Sequence, residues 1–261
     1  MGNTERQNIA ALIRQTRLLS RIERSFALDI RREKNRFIEA QADNFNRARM
    51  LSEDLLNDHT KNLKQIFSKH HSRTIRIFAG DTARNLPSAK SYQQYEKKRD
   101  LFSLLLLEWV NEQGAQRVKD VAQTTYEDLR KVLLAGLESE EPAQSIVKKL
   151  LGVRSFSAYR SATIARTETH NAAMFASKRS AQVIADDVGL VIQKRWIPAL
   201  DERTRFSHAR MRQHEAVDID GKFKVGRPDG GYDQMDRPGD PSGSAGNVIN
   251  CRCVLVYEEA E

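Results

Sequence analysis

The sequence is most informative at two stretches, WIPALDERTRFSH at residues 196–208 and PGDPSGSAGNVINCRC at residues 238–253. Seven of the thirteen glycines of the chain lie in or between these stretches, which predicts that the segment joining them is mostly loop. His208 ends the first stretch, and the two cysteines of the chain, Cys251 and Cys253, end the second. Side chains that can bind a metal ion therefore stand at both ends of a loop-rich segment.

Short strand and helix patterns surround these loops. Residues 190–197 are rich in branched and aromatic side chains and predict a strand. Asp201 suits the N-cap of a helix over residues 202–213. Residues 217–225 predict a hairpin with an Asp-Gly turn, and residues 251–258 predict a final strand.

The first part of the chain has helical periodicity. Residues 3–79 contain neither glycine nor proline, and their apolar residues recur at steps of three and four, which predicts either two or more helices or one extended helix. A break is predicted over residues 80–88, with a helical pattern again over residues 95–136. Pro142 suits the first turn of a short helix, and residues 157–187 predict another helix.

These patterns predict an α+β fold, in which a long all-helical N-terminal part precedes a small α+β C-terminal module. We assign residues 1–120 to an extended helical arm and helical region and residues 121–261 to the C-terminal module. The apolar stripe of the arm must be covered. We expect it to pack partly on the helices of residues 95–137 and partly on a partner protein.

Charge and composition limit the class of protein. The net charge of +8 is uneven, because residues 1–75 carry 15 basic and 9 acidic side chains. Such a basic segment can lie along DNA phosphates or along an acidic protein surface, or it can be an ordinary solvated helix face. The densest apolar run, residues 101–110, is too short for a membrane span and predicts a buried core helix. Two cysteines separated by one residue make a strained disulfide, which favours a reducing compartment.

A metal site is one interpretation of the histidine and the cysteines. On the predicted helix Asp201, Arg205 and His208 share one face, and on the predicted strand Cys251 and Cys253 share one face. If the helix packs on the strand, His208 joins the two thiolates, with Asp201 or His214 as a fourth ligand, and this ligand set suits zinc. The other interpretation is a pair of buried thiols beside a hydrogen-bonded histidine.

Catalytic interpretations have weaker support. A cysteine nucleophile with His208 as its base lacks a nucleophile elbow or another oxyanion-hole motif. Arg166 and Glu168 lie in the sequence ARTETH (residues 165–170), which does not contain the Glu-x-Glu pair of ADP-ribosyltransferases. We interpret these two residues as structural, tying their helix to the C-terminal module.

Several motifs together resemble the phage Mu F-like minor head proteins, the head-morphogenesis family of tailed bacteriophages. The resemblance covers about residues 120–257, through ART-E, KRW, D-x-R-T-R-x-x-H and the final N-C-R-C. It marks as structural positions of the motif a set of five residues: Arg166, Glu168, Trp196, Arg205 and Asn250. The chain departs from the family pattern after His208, where MRQHE replaces the frequent Leu-x-Gly, and this makes His214 a poor candidate for a ligand.

The resemblance implies a non-enzymatic minor component of the virion. It implies a place inside the phage head, with assembly in the host cytoplasm, and the portal protein as partner. Contacts with a scaffold or the major capsid protein, and non-specific binding of phage double-stranded DNA during packaging or DNA ejection, are further expectations; no membrane contact is expected. Two alternatives stay open: a small metal-dependent hydrolase or nuclease that uses Asp201, His208, Cys251 and Cys253, and a free-standing DNA-binding protein.

Overall fold

The computed structural model describes residues 3–87, 101–109, 115–153 and 157–260. Its helices are α1 (Asn3–Ala48), α2 (Glu53–Asn85), α3 (Leu101–Trp109), α4 (Ala115–Glu138), α5 (Ala143–Gly152), α6 (Ser157–Val188), α7 (Phe206–Ala209) and α8 (Ala245–Val248). Its strands are β1 (Ile192–Ile197), β2 (Val217–Asp218), β3 (Phe223–Gly226), β4 (Tyr232–Met235) and β5 (Val254–Glu259). The predicted α+β class, with a mostly helical N-terminal region and small C-terminal sheets, is confirmed. Among the described helices, none combines the length and the apolar character needed to cross a bilayer.

The first 85 residues form two long helices rather than one. α1 ends at Ala48, and Arg49 follows in the left-handed conformation (φ 59°). The side chain of Gln41 holds the turn, because its amide donates to the Ser52 carbonyl (2.7 Å) and its oxygen accepts from the Ser52 N–H (2.8 Å). Ser52 then caps α2 by accepting a hydrogen bond at Oγ from the Leu55 N–H (3.3 Å).

The break predicted over residues 80–88 comes too early. α2 continues through Gly80 and ends at Asn85. A glycine inside a helix costs only about 1 kcal/mol. Two interactions exceed that cost here: Phe78 is fully buried, and Asp81 forms an ion pair with Arg14 (3.0 Å). The helical pattern predicted from residue 95 begins outside the described residues.

Residues 101–109 of the apolar run form a helix, whose described side chains are buried on one face only. Leu105 and Trp109 of α3 are buried, whereas Leu104 and Leu107 are more than 60% exposed. The predicted buried core helix is therefore observed for the face of Leu105 and Trp109, whereas the face of Leu104 and Leu107 is exposed.

The chain divides into two compact units. One consists of Met1–Ile22, His71–Trp109 and Arg166–Glu261, and the other of Glu23–His70 and Val110–Ala165. The first unit contains β1 to β5 and a core that includes both tryptophans. In the second unit, aromatic and aliphatic side chains of α1 and α2 pack on α4 and α5. The division of the sequence at residues 120/121 into a helical region and a C-terminal module stays a prediction.

The strands form two small sheets. One is antiparallel with the order β2–β1–β5, and the other pairs β3 with β4. The hairpin predicted over residues 217–225 is therefore wrong, because β2 pairs with β1 instead of β3. Gly221 does turn back on Asp218 (N–H to carbonyl, 2.8 Å), but burial of Phe223 and Val225 directs β3 toward β4. Local turn preference is weaker than the burial of an apolar strand face.

A buried carboxylate in the second unit links stability to pH. Glu33 accepts hydrogen bonds from His59 Nδ1 (3.0 Å) and Arg36 (2.8 Å). Burial alone would raise the pKa of Glu33, but these hydrogen bonds lower it from 4.5 to about 2. Burial also lowers the pKa of His59, which is therefore neutral at pH 7 and donates a neutral hydrogen bond. The hydrogen bonds from His59 and Arg36 lower the pKa of Glu33 most, and the positive charge of Arg36 lowers it further.

We expect Glu33→Gln to destabilise the protein at neutral pH but not in strong acid. A carboxylate with a lowered pKa stabilises the fold above its unfolded pKa of 4.5, and this contribution is lost as pH falls toward 2. It amounts to roughly 1–3 kcal/mol, because Arg36 is half exposed and its charge is screened. Urea unfolding at neutral and acidic pH measures it, with the exposed Asp43→Asn as control. A deficit of the variant that is equal at both pH values would contradict this explanation.

Candidate metal centre

His208 reaches the site from a shorter helix than the sequence predicts. Residues 201–204 form a turn, in which the Thr204 N–H donates to the Asp201 carbonyl (3.0 Å), and α7 begins only at Phe206. Arg205, in extended conformation (ψ 145°), is the residue before the helix. The prediction that Asp201 caps a helix and shares one face with Arg205 and His208 is therefore wrong.

The two cysteines lie just before the last strand. β5 begins at Val254, so the prediction that a strand carries Cys251 and Cys253 is wrong. Both side chains nevertheless point to His208, whose Nδ1 lies 3.6 Å from Cys251 Sγ and 3.4 Å from Cys253 Sγ. The three ligand atoms lie within 4.8 Å of one another, and each residue is only 1% exposed. The structure thus brings together three side chains that could hold a metal ion.

The distances in this cluster fit a tetrahedral ion. Zinc binds sulfur at about 2.3 Å and nitrogen at about 2.0 Å, so a nitrogen and a sulfur on one tetrahedral zinc are about 3.5 Å apart. The two observed Nδ1–Sγ distances, 3.4 and 3.6 Å, match this edge. Two soft sulfur ligands and one imidazole suit zinc. They do not suit Mg²⁺ or Ca²⁺, which are hard cations that prefer oxygen ligands.

The two thiols differ in acidity. Burial raises the pKa of Cys251 well above its usual value. Burial acts in the same direction on Cys253, but hydrogen bonds from Cys251 and His208 outweigh it and bring the pKa of Cys253 well below its usual value. The backbone of Ala199 adds a further hydrogen bond to the Cys253 sulfur. Cys253 is thus the more acidic thiol of the pair.

Helix α6 fixes the loop that carries the cysteines. Asn250 is in the left-handed conformation (φ 59°), its N–H donates to Thr167 Oγ1 (3.2 Å), and its side-chain oxygen accepts from Arg166 (2.9 Å). One turn further along α6, the buried His170 donates from Nε2 to the Cys253 carbonyl (2.7 Å). The helix segment that carries the A-R-T-E motif therefore contacts the N-C-R-C motif directly.

His170 and Gly239 were not among the predicted site residues. Burial lowers the pKa of His170, which keeps its imidazole neutral, with one nitrogen donating to the cysteine loop. Gly239 packs against the other nitrogen: a Cβ there would lie 2.6 Å from His170 Nδ1, and its φ of +74° also favours glycine. The signal for His170 in the sequence was its spacing of one helical turn from Arg166.

The other predicted site residues lie around the cluster and not in it. Asp201 forms an ion pair with Arg252, and hydrogen bonds from this guanidinium lower the pKa of Asp201 to about 2. The structure thus places the carboxylate of Asp201 on Arg252 and not in the cluster of His208, Cys251 and Cys253. His214 is half buried and donates from Nδ1 to the Glu215 carbonyl (2.9 Å), away from the sulfurs.

Trp196, Arg205 and Glu168 have structural contacts. Trp196 is 1% exposed and covers the imidazole of His208 edge-on, with ring centroids 5.4 Å apart. Arg205 donates to the carbonyl of Ile249, just before the cysteine loop. Glu168 is buried, and its Oε2 lies 3.8 Å from Nε2 of His71 on α2.

The glycine-rich loop is ordered by two aspartates. Asp240 accepts hydrogen bonds from the backbone N–H groups of Asp236 (2.6 Å) and Ser242 (3.0 Å). Asp233 accepts from Ser244 and, at 2.8 Å, from the buried Asn247. The P-G-D-P-S-G sequence is thus a connection shaped by side-chain to backbone bonds, as such residues commonly form.

Comparison with known proteins identifies the module. Residues 127–256, about half of the chain, match the family described as Phage Mu protein F like protein. The minor head protein GP7 of Bacillus phage SPP1 is 26% identical over 204 residues, which are 75% of this chain and 59% of that relative. The chain thus spans less than two thirds of the length of this curated relative. No solved structure gives a significant match. Since the family match includes α6, the ligand cluster and the first half of β5, the chain belongs to the phage Mu protein F-like family.

Proposed function

We propose that this protein is a minor head protein of a tailed phage, located inside the phage head and without enzymatic activity. The observation that carries the proposal is that the family match covers the whole convergent site of α6, His208 and the cysteine loop. The relative named as a minor head protein supports it. Burial of all three potential ligands supports a structural site, because a substrate cannot reach ligands that are 1% exposed.

We further propose that the cluster of His208, Cys251 and Cys253 holds one zinc ion that stabilises the C-terminal fold. Support comes from the match between the nitrogen–sulfur distances and a tetrahedral edge, and from the hydrogen bonds that stabilise a thiolate. The described residues supply three ligands. The ion would connect α7 to the segment before β5, and in such sites the free energy of metal binding adds to folding.

The proposed partners are the portal protein, with the scaffold or major capsid protein as further contacts, and phage double-stranded DNA. The name of the relative supports head partners. Support for DNA comes from exposed arginines along α1, among them Arg17, Arg21 and Arg31. Lys34 is buried, and burial lowers its pKa to about 8, so it does not add to this surface.

The head assignment can be tested on particles and on purified protein. We expect mass spectrometry of purified virions to detect the chain in few copies, and immobilised portal protein to retain the full chain. The retained amount should be compared with that of an unrelated basic helical protein as a control for charge. Absence of the chain from particles, together with no retention by portal, would overturn the assignment.

The enzyme alternative predicts different experimental results. A metal-dependent hydrolase or nuclease would turn over an ester or nucleic-acid substrate, and His208→Ala would abolish that turnover. Stoichiometric zinc without turnover supports the structural role. A third result, salt-sensitive duplex binding without retention by portal, would favour the free-standing DNA-binding protein.

A further inference from the structure

One surface of the first unit combines exposed aromatic rings with unpaired cations. It is a depression of about 460 Å³ at the ends of α7, β3 and β4. Phe206 at its rim is 78% exposed, and Tyr232 is 59% exposed. Large aromatic side chains are normally buried, so two exposed rings at one depression need an explanation.

Each ring has a cation beside it. The guanidinium of Arg210 lies 5.5 Å from the centroid of Phe206, and Nζ of Lys224 lies 4.3 Å from the centroid of Tyr232. Neither cation forms an ion pair with a residue that the structure describes. Arg227 contributes less charge, because it is paired with Asp229 (3.0 Å).

The rest of the depression suits a polyanion with a bulky backbone. Among the described residues that line it, none is aspartate or glutamate. Gly230 and Gly231 form part of its wall in the turn between β3 and β4, and they add no side chain to block a passing strand. A negatively charged polymer that carries several planar groups fits this combination of aromatic rings, cations and open backbone.

We propose that this surface, defined by Phe206, Arg210, Lys224 and Tyr232, binds single-stranded nucleic acid. Bases of a single strand can stack on the two rings while the phosphates contact the cations. A duplex keeps its bases stacked inside and cannot offer their faces to the rings. The proposal goes beyond the head role and differs from duplex binding by residues 1–75, which requires charge alone. It also does not require the metal ion.

The test uses the full chain and a fluorescent oligothymidine of about 15 nucleotides, measured by anisotropy at low salt. We expect Phe206→Leu and Tyr232→Leu each to weaken binding roughly 5- to 100-fold, because leucine keeps apolar surface but loses the flat ring. Tyr232→Phe, which keeps the ring, should bind like the original protein. Tyr159→Leu, at a 79% exposed aromatic of α6, is the matched control and should have no effect. Circular dichroism checks that each variant is folded.

The outcomes separate this proposal from its rivals. Ring-dependent binding of the single strand, with duplex binding unchanged in Phe206→Leu, supports it. A different result would be that only Arg210→Gln and Lys224→Gln weaken binding, and that polyglutamate displaces the oligothymidine from the original protein. That result would replace the proposal with a general site for acidic partners. No measurable single-strand binding at low salt would overturn it.

Discussion

Cys253→Ser should abolish binding of the proposed zinc ion and lower the stability of the C-terminal module by at least about 3 kcal/mol, because metal binding to a site of this kind is coupled to folding. The substitution keeps the size of the side chain but replaces a soft thiolate by a hydroxyl that binds zinc poorly. Cys251→Ser and His208→Ala should have similar effects, since each removes one of the three ligands. For a domain of this size, 3 kcal/mol lowers Tm by roughly 6–12 °C. Zinc content by plasma mass spectrometry and Tm by calorimetry measure the two effects.

Ser180→Ala is the matched control for this substitution. Ser180 is fully buried in the same unit and donates to the Ala79 carbonyl (3.3 Å), but it does not contact the cluster. It should keep the metal and lose only about 1 kcal/mol. If Cys253→Ser lost no more stability than Ser180→Ala, and neither variant held metal, the cluster would be a packed thiol pair beside a histidine.

Trp196→Ala and Trp109→Ala should destabilise the protein by similar amounts, about 3–5 kcal/mol each, but only the first should weaken metal binding. Both tryptophans are buried in the first unit. Trp196 packs on His208 and Phe223, whereas Trp109 packs on His71 and Phe175. Loss of Trp196 opens the apolar cover of the imidazole, and the cover of a metal site controls access of water to it.

The tryptophan comparison has a clear contrary result. We expect zinc affinity, measured by competition with a chelator in the folded temperature range, to fall about tenfold or more in Trp196→Ala. The Trp109→Ala protein should bind zinc as tightly as the original chain. Equal affinities in the two variants would show that the packing of Trp196 on His208 does not support the site.

Much of the fold follows from local patterns in the sequence. The periodicity of residues 3–79 and the alanine-rich pattern of residues 157–187 correspond to real helices, because such patterns report one buried face. The strand predicted over residues 190–197 from its branched and aromatic side chains is observed as β1. The meeting of His208 with the cysteines was expected from ligand type and from packing of the two ends of the loop-rich segment, and the structure places them together.

The errors arise where distant residues override local preference. The side chain of Asp201 can cap a helix N-terminus, but its carboxylate instead accepts a hydrogen bond from Arg252, which is 51 residues away. The Asp-Gly pair has the chemistry of a hairpin turn, but the neighbouring strands find other partners across the sheets. The contacts of His170 with Cys253 and of Gly239 with His170 join parts of the chain that no local pattern relates.

X-ray absorption at the zinc edge, on the full chain purified under reducing conditions, tests the central claim most directly. That claim is that His208, Cys251 and Cys253 hold a zinc ion that stabilises the phage Mu protein F-like fold. The expected result is one zinc per chain, with two sulfur ligands at about 2.3 Å and at least one nitrogen ligand at about 2.0 Å. A protein that is folded without zinc, or zinc surrounded only by nitrogen and oxygen, would contradict the claim.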